Sequence, residues 1–154
     1  MRRPRYTEEL FKMVFLLLGL TFIFMGLLSY IGVMKPTSDS MVQEPKMMGI
    51  VFSLVGIAFL TVQTILKIIA SSKKKLHNEL LISGTRINGI VENIYRQTDM
   101  RYAGESPYRI LYTYTWQGKV YHHHSHLLWD IPDFKADDSI VVYVNDSGKS
   151  TIQL

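Results

Sequence analysis

The sequence predicts a membrane hairpin of two transmembrane α-helices followed by a small all-β domain, an OB-like or SH3-like sheet or barrel of about five strands. Three observations predict it. Two uncharged apolar runs, Val14–Met34 and Met47–Leu66, fill most of the first half. After Gly84 the apolar residues recur at the spacing of a strand. Basic residues gather at the ends of the apolar runs and not in the second half. The chain therefore divides into an N-terminal flank, 1–12, a hairpin, 13–70, with helices 13–34 and 47–70, a juxtamembrane connector, 71–83, and a β domain, 84–154.

The 21 residues from Val14 to Met34 lie between Lys12 and Lys35. At 1.5 Å per residue they reach about 31 Å, the hydrocarbon thickness of a bilayer. Met47–Leu66 lies between Lys46 and Lys67, and a snorkelling Lys67 lets the second helix run on through Ala70. The first run is too long for the apolar core of a signal peptide, and Lys35-Pro36-Thr37 follows it where a small-residue cleavage site would stand. It is expected to remain as a span.

The pI near 9.3 suggests a nucleic-acid partner until the charge is located. Residues 1–75 carry ten Lys or Arg against four Asp or Glu, a balance of +6; residues 76–154 carry seven against nine, a balance of −2. The basic character belongs to the membrane flanks, where it meets lipid headgroups, so the bilayer is an expected partner and nucleic acid is not. Arg2, Arg3, Arg5 and Lys12 precede the first span, and Lys67, Lys73, Lys74 and Lys75 follow the second. The loop between them has Lys35 and Lys46, offset by Asp39 and Glu44. The positive-inside rule then predicts a two-span protein of the cell membrane with both termini in the cytoplasm. Absence of cysteine excludes disulfides, thiolate nucleophiles and Cys-based zinc sites.

Small residues form stripes on both spans: Gly19 and Gly26, with Ser29 close to the same face, and Gly49, Ser53 and Gly56 on the second. Such stripes let helix backbones approach in lipid, either to pack the hairpin against itself or to serve oligomerisation or a partner helix. Neither run contains a charged residue, which argues against an ion or proton path.

In the connector, Leu76, Leu80 and Leu81 recur at helical spacing, predicting a short helix. Strands are predicted at Thr85–Arg96, Tyr108–Trp116, Lys119–His126, Ser139–Val144 and Ser150–Leu154. Residues 97–107 read as a loop. Gln117-Gly118 is a two-residue hairpin signal, and Asn145-Asp146-Ser147-Gly148 a second turn. In Tyr108–Trp116, alternation puts Tyr108, Ile110, Tyr112, Tyr114 and Trp116 on one face.

Three segments carry a family resemblance: Gly84-Thr85-Arg86-Ile87-Asn88-Gly89-Ile90-Val91, the hairpin Tyr112–Tyr121 with its Gly118 turn, and Ile140-Val141-Val142-Tyr143-Val144-Asn145-Asp146. Over roughly residues 84–154 the chain resembles the bacterial membrane proteins that carry the domain of unknown function numbered 3592. That family combines a Gly-x-x-x-x-Gly-x-Val opening strand, a Gly-containing middle hairpin and a late Val-x-Val-Tyr-Tyr-(Asp/Asn)-Pro strand and turn. Here Val144 replaces the second aromatic and Asp146 the proline. The resemblance implies a small β domain beside transmembrane helices and brings no catalytic residue with it.

The conspicuous polar cluster is His122-His123-His124-Ser125-His126. On a strand, His122, His124 and His126 share one face, where imidazoles at i and i+2 suit a tetrahedral metal, with Asp130 or Asp133 to complete it. The same residues could instead be a polar surface, or a pH-responsive one. No nucleophile elbow, Walker A sequence or dinucleotide fingerprint occurs, so neither an enzyme nor a cofactor is expected. The function this predicts is a membrane-anchored interaction protein that docks a protein partner, or a second copy, through Tyr108, Tyr112, Tyr114 and Trp116 and the 97–107 loop. The alternatives are a metal- or pH-sensing module built on the histidines, and a membrane protein conferring immunity to a toxin.

Overall fold

The computed structural model describes residues 3–34 and 44–153. They form two compact units, one of residues 8–70 and one of residues 3–7 with 71–153. The expected extracellular loop, with Lys35 and Asp39, lies largely outside the described residues, as do Arg2 and Leu154.

The first unit is a helix pair. α1 spans Thr7–Tyr30 and α2 begins at Pro45. Each is long and apolar enough to cross a membrane by length and composition. α1 opens with Glu8 and Glu9 in its first turn, favourable against the positive end of the helix dipole. It starts earlier than expected and also stops earlier, at Tyr30 and not Met34. The cause is Gly32, whose φ of 79° closes a Schellman cap: Gly32 N–H donates to Ser29 O (3.0 Å) and Val33 N–H to Leu28 O (3.0 Å). Pro45 suits the first position of α2, where its missing N–H costs nothing.

The glycine stripes stand where the two helices meet. A Cβ on Gly26 would lie 2.5 Å from Ser53 Oγ and 2.8 Å from Gly49 O; one on Gly56 would lie 2.8 Å from Gly19 O. Ser29 is fully buried. Beside the glycines Phe15, Phe22, Phe52 and Phe59 interlock, with ring centroids 5.5–6.0 Å apart. The hydroxyls of Thr21, Ser53, Thr61 and Thr64 each donate to the carbonyl four residues back (2.9 Å), which satisfies them without a partner from outside the helix.

α2 continues to Ser83, 39 residues in all, so the connector is no separate helix. Nothing between Lys67 and Ser83 breaks it: no Pro or Gly occurs there. In the second unit its Leu76, His77, Leu80 and Leu81 are buried or half-buried, while Ile82 and the three lysines are exposed. Gly84 alone joins α2 to the sheet; its N–H donates to Leu80 O (2.8 Å).

The sheet has five antiparallel strands, β1 (Thr85–Arg96), β2 (Tyr108–Trp116), β3 (Lys119–His124), β4 (Ser139–Val144) and β5 (Ser150–Ile152), in the order β3-β2-β1-β4-β5. It curls into a half-barrel. β1 is the central strand: Gly89 and Ile90 pair with both neighbours, and a bulge at Glu92 interrupts the ladder to β2, which resumes at Asn93. Gln117 and Gly118, with φ of 50° and 75°, make the two-residue hairpin turn, and Ala103-Gly104 makes another in the 97–107 loop. Val91, Ile110, Tyr112, Tyr114, Ile140, Val142, Val144 and Ile152 form the core on the concave face. Burying each of the aliphatic side chains is worth about 1.5–3 kcal/mol.

Candidate functional site

The aromatic strand expected to dock a partner faces inward. Tyr112 and Tyr114 are fully buried, and Trp116 packs half-buried against the same core. The curl of the sheet brings β3 and β5 side chains together over them. Tyr112 Oη pairs with Ser150 Oγ (3.0 Å), Ser150 Oγ with His123 Nδ1 (3.1 Å), and Tyr114 Oη–H donates to Gly148 O (2.7 Å). Tyr121 stacks on Tyr114 at 5.3 Å and 9°. Burial pushes the Tyr112 hydroxyl up to about 12, and it is a neutral structural group. Tyr112 and Tyr114 are thus core residues, and Tyr108 is half-buried at the far end of the strand. None of the four offers an open docking face.

The histidines separate. His122 and His124 do share the convex face, but β3 ends at His124. Ser125 turns the chain: its N–H donates to Ile110 O (2.8 Å), its Oγ accepts from Ile110 N–H (3.0 Å) and donates to His126 O (2.9 Å). His126 lies beyond the strand and meets His77 and Tyr6, whereas His122 meets Glu92 and Thr113 and His124 meets Tyr95, so the three do not converge. Among the described residues no three His, Asp or Glu side chains could hold a metal ion. Asp130 points to Arg3, at 3.3 Å.

Each histidine has its own neighbours. His122 Nδ1 lies 2.8 Å from Glu92 Oε1 and 3.0 Å from Thr113 Oγ1, and Thr113 also donates to Glu92. That hydrogen bond, first, and the His122 contact hold the exposed Glu92 carboxyl below its ordinary range. A Thr-His-Glu set suggests a nucleophile triad, but hydroxyl and carboxylate both meet the same ring nitrogen. A relay needs them on opposite nitrogens, so these three side chains form a hydrogen-bonded cluster without the geometry of a relay. His124 Nδ1 meets Tyr95 Oη at 3.2 Å. Around them on the convex face Ile90 (55% exposed) and Val120 (60% exposed) stand in solvent, and β3 presents a free edge.

A second feature escaped the sequence reading altogether. The segment before α1 lies along the chain after His124: Leu127 N–H donates to Arg5 O (2.9 Å), Trp129 Nε1–H to Pro4 O (2.6 Å), and Arg109 to Thr7 Oγ1 (3.0 Å). Between them opens a cleft of about 690 Å³ lined by Arg3, Arg5, His126, residues 127–134 and Gln153. Arg3 pairs with Glu105 (3.1 Å) and Asp130 (3.3 Å) at its rim. These contacts join residues more than a hundred positions apart, which local patterning does not report.

No family model, no curated protein and no solved structure matches the chain.

Proposed function

We propose that the chain is a two-span membrane protein whose β domain docks a protein partner at the bilayer, without catalysis. The observation that carries this is the state of the two apolar helices: only 11% of the residues in each apolar window are buried within the chain. Helices that serve as the core of a soluble protein are mostly covered; these leave Leu17, Phe24, Leu54 and Ile68 among many bare apolar side chains, and lipid is the solvent that suits them. The basic flanks support cytoplasmic termini. The motifs at Gly84–Val91, Tyr112–Tyr121 and Ile140–Asp146 support membership of the family with domain of unknown function 3592. The two sheet edges face each other through Tyr121–Gly148 and His123–Ser150, which supports an OB-like, partly open barrel.

With the tyrosines committed to the core, the docking surface is the convex face around Ile90, Val120 and His122 with the free edge of β3. An exposed edge strand offers unpaired backbone groups to a partner strand, and the flanking apolar side chains add contact area. Photo-crosslinking in cells through position 120 should give a heavier adduct of defined mass. The double variant Ile90→Asp/Lys119→Pro, with the crosslinker still at 120, should abolish it. Monomer alone from the unmodified surface would overturn the docking reading.

A further inference from the structure

The convex face leaves the cleft beside the N-terminal segment unexplained. We propose that this cleft binds a phospholipid of the surrounding bilayer, its phosphate at Arg3 and Arg5 and its glycerol and upper acyl carbons on Trp129, Ile131 and Phe134. The inference rests on the membrane reading above.

Three properties fit that occupant. The volume, about 690 Å³, is that of a small-molecule site, large enough for a headgroup and the first part of a chain. The lining holds both chemistries of a phospholipid: the guanidiniums of Arg3 and Arg5, with the carboxylates of Asp130 and Asp133 among them, and the apolar side chains of Trp129, Ile131 and Phe134. Guanidinium recognises phosphate with paired hydrogen bonds, and tryptophan favours the boundary between headgroups and chains. Arg3 is held by two carboxylates, but Asp130 is 98% exposed, and ion pairs so open to solvent contribute little, so a phosphate can replace it. Among the described residues Ile131 is 75% exposed, an arrangement costly in water and favourable against lipid.

The third property is covalent reach. Arg5 stands nine residues before Val14, where the unbroken apolar run begins. The helical part of that path, from Thr7, is about 10 Å, so the arginines lie close to headgroup depth whenever α1 spans the bilayer.

The test uses the full chain in lipid nanodiscs. Trp116→Phe leaves Trp129 as the sole indole. Phosphatidylglycerol brominated at its upper acyl carbons should quench most of the Trp129 emission, and Arg3→Gln/Arg5→Gln should restore most of it. Emission insensitive to brominated lipid, in protein that remains in the disc, would overturn the lipid site alone. Failure of the chain to enter the disc would instead overturn the membrane reading. A benzophenone side chain at position 131, in otherwise unaltered protein, provides the check independent of Trp116: a lipid adduct by mass supports the proposal, and an adduct with another protein or a second copy refutes it.

Discussion

His126 meets His77 edge to face at 5.5 Å, and His77 Nδ1 pairs with Thr151 Oγ1 at 2.5 Å. The contact joins the last turns of α2 to β5 and to the chain beyond β3, with Tyr6 (6.5 Å from His126) and Arg5 beside it. Burial, then His77, then Arg5 push His126 down to about 4, and burial followed by Arg5 lowers His77. Both rings are therefore neutral in the folded chain at pH 7. On unfolding each regains its ordinary value of 6.5 and takes up a proton more readily. Stability from this pair is complete above about pH 6.5 and is lost as pH falls towards 4, because the unfolded chain then binds more protons. Allowing for solvent screening of half-buried rings, the loss is on the order of 1–2 kcal/mol. Denaturant midpoints measured from pH 7.5 to 4.5 should fall more steeply for the natural chain than for His126→Phe; equal slopes would refute the assignment. Local sequence could not reveal this pair. Alternation groups His126 with His122 and His124, and only the bonds of Ser125 to Ile110 show that the strand has ended two residues sooner.

At the scale of elements, the two glycines of the opening motif have separate steric reasons. A Cβ on Gly84 would stand 2.5 Å from Leu80 O, so no larger residue fits the single-residue joint between α2 and β1. On Gly89 it would stand 2.8 Å from Thr113 O and 2.7 Å from Val142 Cγ2, between the two strands that flank β1. The carbonyl cannot retreat without opening the β1–β2 ladder. Gly89→Ala should therefore destabilise the domain by about 1–3 kcal/mol, against about 0.5 or less for the exposed Asn88→Ala. Thermal unfolding of the two variants beside the natural chain measures this, and equal melting temperatures would contradict it. The strands themselves were legible: β1, β2 and β4 have the expected bounds, since long β-branched and aromatic runs between turn residues have few other solutions. Which face of β2 lies inside was not. A period of two shows that Tyr108, Ile110, Tyr112, Tyr114 and Trp116 share a face, but tyrosine suits a core or a docking surface equally until its hydroxyl partners, Ser150 and Gly148, are known. The helix bounds moved for a related reason: hydropathy marks where lipid suits the side chains, whereas Gly32 and the absence of a breaker after Lys67 decide where the backbone stops.

At the scale of the whole molecule, the proposed two-span reading poses one question on which the docking face and the lipid cleft both depend, namely which side of the bilayer holds the β domain. The flanking charge is lopsided: Arg3, Arg5 and Lys12 before the first apolar run and Lys67, Lys73, Lys74 and Lys75 after the second outweigh the segment between them, whose two lysines are offset by Asp39 and Glu44. An even number of spans then places the N-terminal segment on the same side as the β domain, which the hydrogen bonds from Leu127 and Trp129 to Arg5 and Pro4 also require. The chain has no cysteine, so single cysteines report topology without background. Ser147 is exposed in the β4–β5 turn, and Ser40 stands in the sequence between the two apolar runs. In intact cells a membrane-impermeant thiol reagent should label Ser40→Cys and leave Ser147→Cys unlabelled until the membrane is permeabilised. Labelling of Ser147→Cys alone would reverse the orientation, give the convex face an extracellular partner and move the phospholipid site to the outer leaflet. Labelling of both in intact cells would mean that the helices do not form a two-span hairpin, and the bare apolar faces of α1 and α2 would need a cover other than lipid.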